Sequence, residues 1–180
     1  MTHYIYQDHI KIDEKFKNLD YTWKGKSVLD IGCNIGLLKN YLEEKGVTEY
    51  AGIDRCPVNI KIGKERNNTA DLRVADILEY TDFNADVFVA IAVFHHIPDD
   101  KLEIFIKKCQ AKELIFEVPV GDDEKFKRGE YENQPSYLLR DEVYYMELIE
   151  NNYGTVVDVV ESGARNDRWN RRLIFVCKKQ

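Results

Sequence analysis

The chain has 180 residues, which suits a single domain (1–180) with a substantial core, and nothing in its composition suggests a linker. Its 26 Lys and Arg residues against 32 Asp and Glu residues give a net charge of -6, which excludes a protein that coats nucleic acid with its whole surface. No apolar run approaches the roughly 20 residues of a membrane span, and the first residues lack the apolar region of a signal peptide. We therefore expect a cytoplasmic protein without a membrane partner.

The cysteines are scattered along the chain and include no C-x-x-C pair: Cys33, Cys56, Cys109 and Cys177. Such spacing argues against a zinc site and agrees with a reducing compartment. We expect no bound metal.

Residues 1–20 contain the first predicted element. Apolar side chains and a histidine recur there at steps of three and four, at Ile5, His9, Ile12, Phe16 and Leu19. This period predicts an amphipathic helix over residues 3–19 that packs one stripe on the rest of the domain.

Residues 28–36, VLDIGCNIG, follow as a strand and a glycine-rich turn. Residues 27–31 have the character of a buried parallel strand and a helix begins at Gly36, so the turn between them is of the kind that holds cofactors. Gly32 and Gly36 lack a Cβ, which lets the backbone turn sharply and lets a ligand approach the helix N-terminus. A dinucleotide site favours G-x-G-x-x-G, whereas Asn34 takes the second glycine position here, which disfavours a nicotinamide cofactor.

The pattern D-x-G-x-(G/N)-x-G over residues 30–36 resembles motif I of the class I S-adenosylmethionine-dependent methyltransferases. This resemblance implies that Asp30 lies near the amino acid end of S-adenosylmethionine. It also implies that the turn packs along the cofactor at Gly32, Cys33, Asn34 and Gly36. In that family an N-terminal helix often lies over the cofactor, so residues 1–20 either do this or simply pack on the sheet.

Residues 50–53 predict a second strand, which ends at Asp54, twenty-four residues after Asp30. A carboxylate at the end of the second strand of a doubly wound fold accepts hydrogen bonds from the ribose hydroxyls of an adenosine-containing cofactor. Asp54 is the candidate for that role, although the same residue is common at strand ends without one. Arg55 would then lie beside the adenine through its aliphatic stem.

A short helix over residues 61–67 and a third strand over residues 71–75 lead to Asp76 and Ile77. In the resembling family an acid followed by an apolar residue at this place binds the adenine amino group and packs against the ring. Asp76 and Ile77 match that pair; the alternative for Asp76 is a solvated loop acid.

Residues 86–93, DVFVAIAV, are a continuous apolar run, as expected for a central strand covered on both faces. The string AVFHHI over residues 92–97 resembles the V-L-H-H-I segment after the fourth strand of many small-molecule methyltransferases, which places Ala92 at the cofactor. Enzymes that methylate amino groups of nucleic acid bases carry an Asn/Asp-Pro-Pro-aromatic signature after the fourth strand. This chain has no such signature at Ile91 and the residues that follow it.

His96 and His95 are the candidate general bases if the acceptor is a hydroxyl or an acidic carbon. The alternative is that both only shape the pocket. On an extended backbone adjacent side chains point to opposite sides, so we expect at most one of them to serve.

Pro98 precedes a predicted helix, in which Asp100 and Glu103 have the spacing of a capping box. Residues 113–118 predict the fifth strand. Its one carboxylate, Glu117, would pair with a neighbouring cation, neutralise a cationic acceptor or take a proton.

Residues 121–137 are the most polar segment and follow the fifth strand, so they are either a lid over the site or disordered. A helix over residues 139–149 and strands over 155–160 and 171–177 complete the chain. This ending resembles that of the same family, in which the final strand inserts antiparallel beside the fifth. It implies an α/β, doubly wound, mostly parallel sheet of seven strands in the order 3-2-1-4-5-7-6.

The expected function is methyl transfer from S-adenosylmethionine to a small molecule, with S-adenosylhomocysteine as the product. An alternative is a tRNA-type RNA methyltransferase, because cations outnumber acids by four in residues 161–180. These cations are Arg165, Arg168, Arg171, Arg172, Lys178 and Lys179. Further alternatives are a non-catalytic S-adenosylmethionine-binding partner subunit and, more distantly, a nicotinamide oxidoreductase.

Overall fold

A computed structural model describes residues 12–80, 84–121, 139–163 and 171–180. Its strands are β1 (Ser27–Ile31), β2 (Glu49–Asp54), β3 (Asp71–Val74), β4 (Val87–Ile91), β5 (Glu113–Pro119), β6 (Gly154–Glu161) and β7 (Arg172–Lys179). They form one seven-stranded sheet in the order β3-β2-β1-β4-β5-β7-β6. The pairs among β1 to β5 are parallel, and β7 runs antiparallel to both β5 and β6. The predicted strand order and the antiparallel last strand are confirmed.

Helices cover both faces of this sheet: α1 (Ile12–Phe16), α2 (Leu38–Glu44), α3 (Pro57–Arg66), α4 (Asp99–Lys108) and α5 (Glu142–Asn152). Side chains of α1 and α2 pack with Val28 in one apolar cluster. Side chains of α4 and α5 pack with Leu29 in another, because successive residues of a strand point to opposite faces. The sheet is therefore covered by helices on both faces.

Two element boundaries differ from the sequence prediction for local reasons. Helix α3 begins at Pro57 rather than at residue 61, since proline suits the first helical position, where no amide hydrogen is needed. Strand β4 ends at Ile91, because Ala92 has a positive φ of 59° that an extended strand does not allow.

The predicted capping box of α4 is wrong. Pro98 occupies the N-cap, no side chain caps the helix, and Asp99 and Asp100 both lie in its first turn. Acidic residues there still interact favourably with the positive end of the helix dipole.

Two predicted segments fall largely outside the described residues. Of the helix predicted over residues 3–19, the structure describes residues 12–19, and the helical part is Ile12–Phe16. Of the predicted lid over residues 121–137, it describes only Gly121. Within the described ranges, no helix combines the length and the apolar character needed to cross a membrane.

Candidate cofactor and acceptor site

The candidate site lies where the carboxyl ends of β1, β2, β4 and β5 meet. Strand β1 has β2 on one side and β4 on the other, so the chain leaves β1 in one direction and β4 in the opposite direction. Ligands of doubly wound sheets bind at this kind of switch point. A cavity of about 440 Å³ opens at the other edge, where Ser27, Glu49 and Asp71 begin β1, β2 and β3, and is therefore separate from the site.

The glycine turn after β1 has the left-handed conformations that its sequence predicts. Gly32 and Gly36 have φ values of 67° and 78°, and Asn34 between them has 54°. The Cys33 amide donates to the Ile53 carbonyl at 2.9 Å, which holds the turn against β2. A Cβ on Gly32 would lie 2.5 Å from Val93 Cγ2, so glycine is also required for the close approach of the β4 loop.

Asp54 links the glycine turn to α3. Its Oδ2 accepts from the Asn34 amide at 2.9 Å, and its Oδ1 accepts from the Cys56 amide at 2.8 Å. Burial raises the pKa of Asp54, although both amide hydrogen bonds oppose the rise. Each carboxylate oxygen has accepted one hydrogen bond and can accept another. The half-buried side chain therefore has capacity for a ligand hydroxyl.

Asp30 is 2% exposed and faces Tyr50, a residue that sequence reasoning missed. The Tyr50 hydroxyl donates to Asp30 Oδ2 at 2.7 Å. Burial raises the pKa of Asp30 to about 7; the Tyr50 hydrogen bond opposes this shift, and the charge of Asp54 adds to it. Parallel pairing of Val28 with Tyr50 places this tyrosine on the face that Asp30 shares, and that register is the signal from which it could have been found.

The remaining predicted cofactor residues after β1 to β3 have different surroundings. The Cys33 thiol packs in an apolar cluster with Ile60, Ala70 and Leu72, and burial raises its pKa. A ligand would therefore contact the backbone of Cys33 and not its thiol. Asp76 Oδ1 accepts from the Leu78 amide at 2.9 Å, whereas Ile77 is half-buried against the larger core and Arg55 is exposed.

The loop after β4 turns tightly instead of remaining extended. Phe94–His96 form a 3-10 turn, in which the His96 amide donates to the Val93 carbonyl at 2.9 Å. The centroids of the His95 and His96 rings lie 4.1 Å apart. The expectation that the two histidines point to opposite sides is therefore wrong, because it assumed an extended backbone.

Burial separates the two histidines chemically. His95 is fully buried, whereas His96 is half-buried. Burial lowers the pKa of His95 to about 2, with further contributions from the charges of His96, Arg172, Arg140 and Lys15. A base with so low a pKa accepts a proton poorly near neutral pH. His96 is therefore the better placed of the two candidates.

Glu117, at the end of β5, is fully buried in an ion cluster. Its Oε1 accepts from Lys15 Nζ at 2.7 Å and from Ser162 Oγ at 2.8 Å, and its Oε2 accepts from Arg172 Nη1 at 2.9 Å. Burial alone would raise its pKa, but Lys15 and Arg172 outweigh burial and the pKa lies below its ordinary value. Of the three roles considered for Glu117, the structure shows ion pairing.

The basic residues near the carboxyl terminus are mostly engaged with the protein. Arg172 pairs with Glu117, Arg171 pairs with Glu142 and Glu161 at 3.1 Å each, and Lys179 donates to the Cys109 carbonyl at 2.6 Å. Arg165 and Arg168 lie outside the described residues. In the part of the chain that the structure describes, Arg172 is thus buried, and Arg171 is exposed but paired with two carboxylates.

Potential metal ligands do not cluster in the described part of the chain. No group of three or more His, Cys, Asp or Glu side chains there has the arrangement of a metal site. The charge of Asp54 contributes to the raised pKa of Asp30, but the hydrogen-bond partners of these two acids are a tyrosine and backbone amide groups.

Comparisons with known proteins agree with this geometry. A profile of the family described as "Methyltransferase domain" matches residues 5–136. The chain belongs to the class I S-adenosylmethionine-dependent methyltransferases. A protein of Pyrococcus horikoshii, PH0226, has the same fold with a TM-score of 0.72 and 17% sequence identity, over 93% of this chain and 89% of that one.

Two proteins that are named as methyltransferases illustrate the range of similarity. The magnesium protoporphyrin IX methyltransferase of Synechocystis, with bound S-adenosylhomocysteine, gives a TM-score of 0.70 at 14% identity, over 88% of this chain and 76% of that one. The ubiquinone biosynthesis O-methyltransferase of Neisseria meningitidis serogroup C is 31% identical over 84 residues, which are 42% of this chain and 35% of the relative. The match thus spans about a third of that relative.

Three features of the methyltransferase turn fit S-adenosylmethionine, the cofactor of this family. Asp54 has acceptor capacity left for hydroxyl groups. Asn34 Oδ1 is buried without a hydrogen-bond partner among the described residues, which leaves an acceptor for a donor that the ligand supplies. The buried carboxyl of Asp30 suits a cationic group, which would favour its ionised form.

Proposed function

We propose that this chain transfers the methyl group of S-adenosylmethionine to a hydroxyl group of a small molecule. The observation that carries the proposal is the juxtaposition of the glycine turn with the His96 turn, which meet where Gly32 contacts Val93. The Neisseria relative, named as an O-methyltransferase of ubiquinone biosynthesis, supports an oxygen acceptor. The pairing of Arg171, Arg172 and Lys179 with the protein favours a small acceptor over RNA.

The residues have distinct proposed roles. Asp54 accepts from the ribose hydroxyls, Asp30 lies towards the amino acid end, and the backbone from Gly32 to Gly36 lines the cofactor, with Cys33 and Asn34 between them. Asp76 and Ile77 bound the adenine, Arg55 lies at its edge, and Ala92 borders the cofactor from the β4 side. When bound, S-adenosylmethionine supplies a methyl group on a good leaving group, so holding the acceptor in line provides most of the acceleration.

His96 is the proposed general base of the reaction. A hydroxyl becomes a stronger nucleophile as it loses its proton, and a positioned imidazole contributes roughly 10²- to 10⁴-fold by accepting that proton. The neighbouring His95 is fully buried, its ring centroid lies 4.1 Å from that of His96, and its lowered pKa keeps it neutral near neutral pH.

The deciding experiment supplies the protein with methyl-labelled S-adenosylmethionine and a cell extract, which is then separated into small molecules, RNA and protein. We expect the label in the small-molecule fraction. Label in RNA would establish the RNA methyltransferase instead. Cofactor binding by calorimetry with no labelled fraction and no S-adenosylhomocysteine would indicate a non-catalytic partner subunit.

The role of His96 is tested with acceptors that differ in acidity. His96→Gln should lower the methylation rate of catechol by roughly 10²-fold or more, while the affinity for S-adenosylmethionine stays within threefold, about 0.7 kcal/mol. The same variant should lose much less activity on 4-nitrocatechol, whose hydroxyl is already ionised near neutral pH. Equal losses on both acceptors would overturn the role of general base.

A further inference from the structure

Arg140 is a buried cation outside the residues to which a role in the reaction has been given. It lies just before α5, where Asp141 forms the N-cap, and its side chain is 6% exposed. A buried guanidinium requires partners for its donors, since an unpaired buried charge is costly. Its partners therefore indicate what it is for.

The guanidinium donates to the backbone of the histidine turn. Arg140 Nη2 donates to the Ile97 carbonyl at 2.6 Å, and Nη1 donates to the Phe94 carbonyl at 3.1 Å. These two carbonyls flank His95 and His96. The Phe94 carbonyl also accepts from the Ile97 amide at 3.1 Å, and a carbonyl oxygen can accept two hydrogen bonds. A planar fork of donors can reach both carbonyls at once.

Contacts on the other side fix the guanidinium itself. Nε donates to Asp99 Oδ1 at 2.7 Å, and Nη2 contacts the same oxygen. Nη1 also lies 3.5 Å from the Tyr145 hydroxyl, and the guanidinium carbon lies 5.0 Å from the centre of the Tyr144 ring. Asp99 is 69% exposed, so its ion pair is solvated, whereas the carbonyl contacts are buried. The two carbonyls of the turn, at 2.6 and 3.1 Å, are therefore closer buried partners than the Tyr145 hydroxyl at 3.5 Å.

We propose that Arg140 is a positioning residue for methyl transfer, which holds the turn of residues 94–97 so that His96 faces the acceptor. This inference rests on the proposed function through His96. The turn of residues 94–97 directly follows Val93, which contacts the glycine turn. The placement of the turn therefore also sets the distance between acceptor and cofactor. Misplacement of about 1 Å in such a site can cost on the order of 10²-fold in rate.

The first test replaces Arg140 by Lys, which keeps the charge and removes the planar fork. We expect kcat for catechol to fall about 10- to 100-fold, while the affinity for S-adenosylmethionine changes less than about threefold. Arg171→Lys is the matched control, because Arg171 contacts only the carboxylates of Glu142 and Glu161 through its side chain in the described ion pairs. It should keep nearly full activity.

The second test measures hydrogen exchange of the His96 and Ile97 amides, which donate to Val93 and Phe94 within the turn. Arg140→Ala should speed their exchange at least about tenfold more than exchange in β4, and millimolar guanidinium chloride should restore both protection and kcat. Exchange needs no turnover, so it reports on the turn even if the acceptor is not a hydroxyl.

The outcomes separate the two proposals. A wild-type protein that binds S-adenosylmethionine and methylates nothing would overturn the proposed function, and with it the role of Arg140 in the reaction. Normal wild-type transfer with unchanged exchange and kcat in Arg140→Lys and Arg140→Ala would overturn the positioning role alone. Loss of cofactor affinity equal to the loss of kcat would assign Arg140 to the fold rather than to the turn.

Discussion

The pKa of the carboxylates is shifted in opposite directions on the two sides of the site. We define the cofactor side by the carboxyl ends of β1 and β2. There Asp30 and Asp54 have hydroxyl and amide donors but, among the described residues, no cation in hydrogen-bond contact, and burial raises the pKa of both. On the acceptor side, defined by the ends of β4 and β5, Glu117 pairs with Lys15 and Arg172, and its pKa is lowered.

This difference separates a binding surface from a scaffold. The acids of the cofactor side keep acceptor capacity that a cationic, hydroxyl-bearing ligand can use. The acid of the acceptor side accepts three hydrogen bonds from the protein, two of them from buried cations, and so fixes α1 and β7 against β5. Removal of a carboxylate should therefore weaken cofactor binding on the cofactor side, whereas on the acceptor side it should lower the free energy of unfolding.

The largest effect is expected for Glu117→Gln. The variant leaves Lys15 and Arg172 buried with no counter-charge, so the free energy of unfolding should fall by about 3 to 5 kcal/mol. Urea unfolding measures it. Glu103→Gln breaks an exposed pair with Lys107 and should cost only about 0.5 kcal/mol or less.

The Glu117→Gln variant should also change how stability depends on pH. Because the folded-state pKa of Glu117 is depressed, its contribution is present above its ordinary value of 4.5 and is lost as the pH falls through the folded-state pKa. Glu117→Gln should thus weaken the acid dependence of unfolding. If the free energy of unfolding depended equally on acid pH in the wild type and in Glu117→Gln, the buried ion cluster would be contradicted.

Asp30→Asn should instead stabilise the protein without its cofactor, in a pH-dependent way. A pKa raised from 3.8 to about 7 means that the folded state binds the proton more tightly, so wild-type stability falls as the pH rises between these values. At pH 8 the variant should gain up to about 4 kcal/mol, and near pH 4 it should gain little. Thermal unfolding of the wild type and Asp30→Asn between pH 4 and pH 8 measures this difference in stability. A gain that did not depend on pH would refute the raised pKa of Asp30.

A comparison of Gly32→Ala with Gly25→Ala separates the cost of a positive φ from the cost of a steric contact with Val93. Both residues have a positive φ, 67° and 80°, which costs a non-glycine residue about 1 to 2 kcal/mol. Among the residues that the structure describes, a Cβ on Gly25 meets nothing within 4 Å, whereas one on Gly32 meets Val93. Gly32→Ala should therefore cost about 1 kcal/mol or more beyond Gly25→Ala, and it alone should weaken cofactor binding. Equal losses would argue against the contact.

Asp54→Ala should weaken S-adenosylmethionine binding by about 1.5 to 3 kcal/mol, roughly 10- to 150-fold. Asp54→Asn keeps one acceptor for the amides of Asn34 and Cys56, and should preserve the fold more fully while still losing affinity. Calorimetry gives the affinity and circular dichroism the fold. Unchanged affinity in both variants would remove the ribose role.

The cofactor side was predictable because its signals are local. Glycine spacing requires the turn, and Asp54 follows from the rule that parallel strands end at one edge. The acceptor side was less predictable, because Lys15 and Glu117 are 102 residues apart and only the packed position of α1 brings them together. Sequence reasoning likewise assumed an extended backbone at His95 and His96, where the folded chain forms a 3-10 turn whose carbonyls Arg140 satisfies.

Strand β7 has a consequence for synthesis on the ribosome. It is translated last of the seven strands, yet it lies between β5 and β6 and pairs with β5 from Glu113 to Pro119. Until it emerges, the nascent polypeptide exposes an unpaired, apolar β5 edge, which is the kind of surface that aggregates or recruits chaperones. Translation must therefore pass residue 179 before this sheet can close, so its parallel part cannot be covered at the β5 edge before β7 has been synthesised.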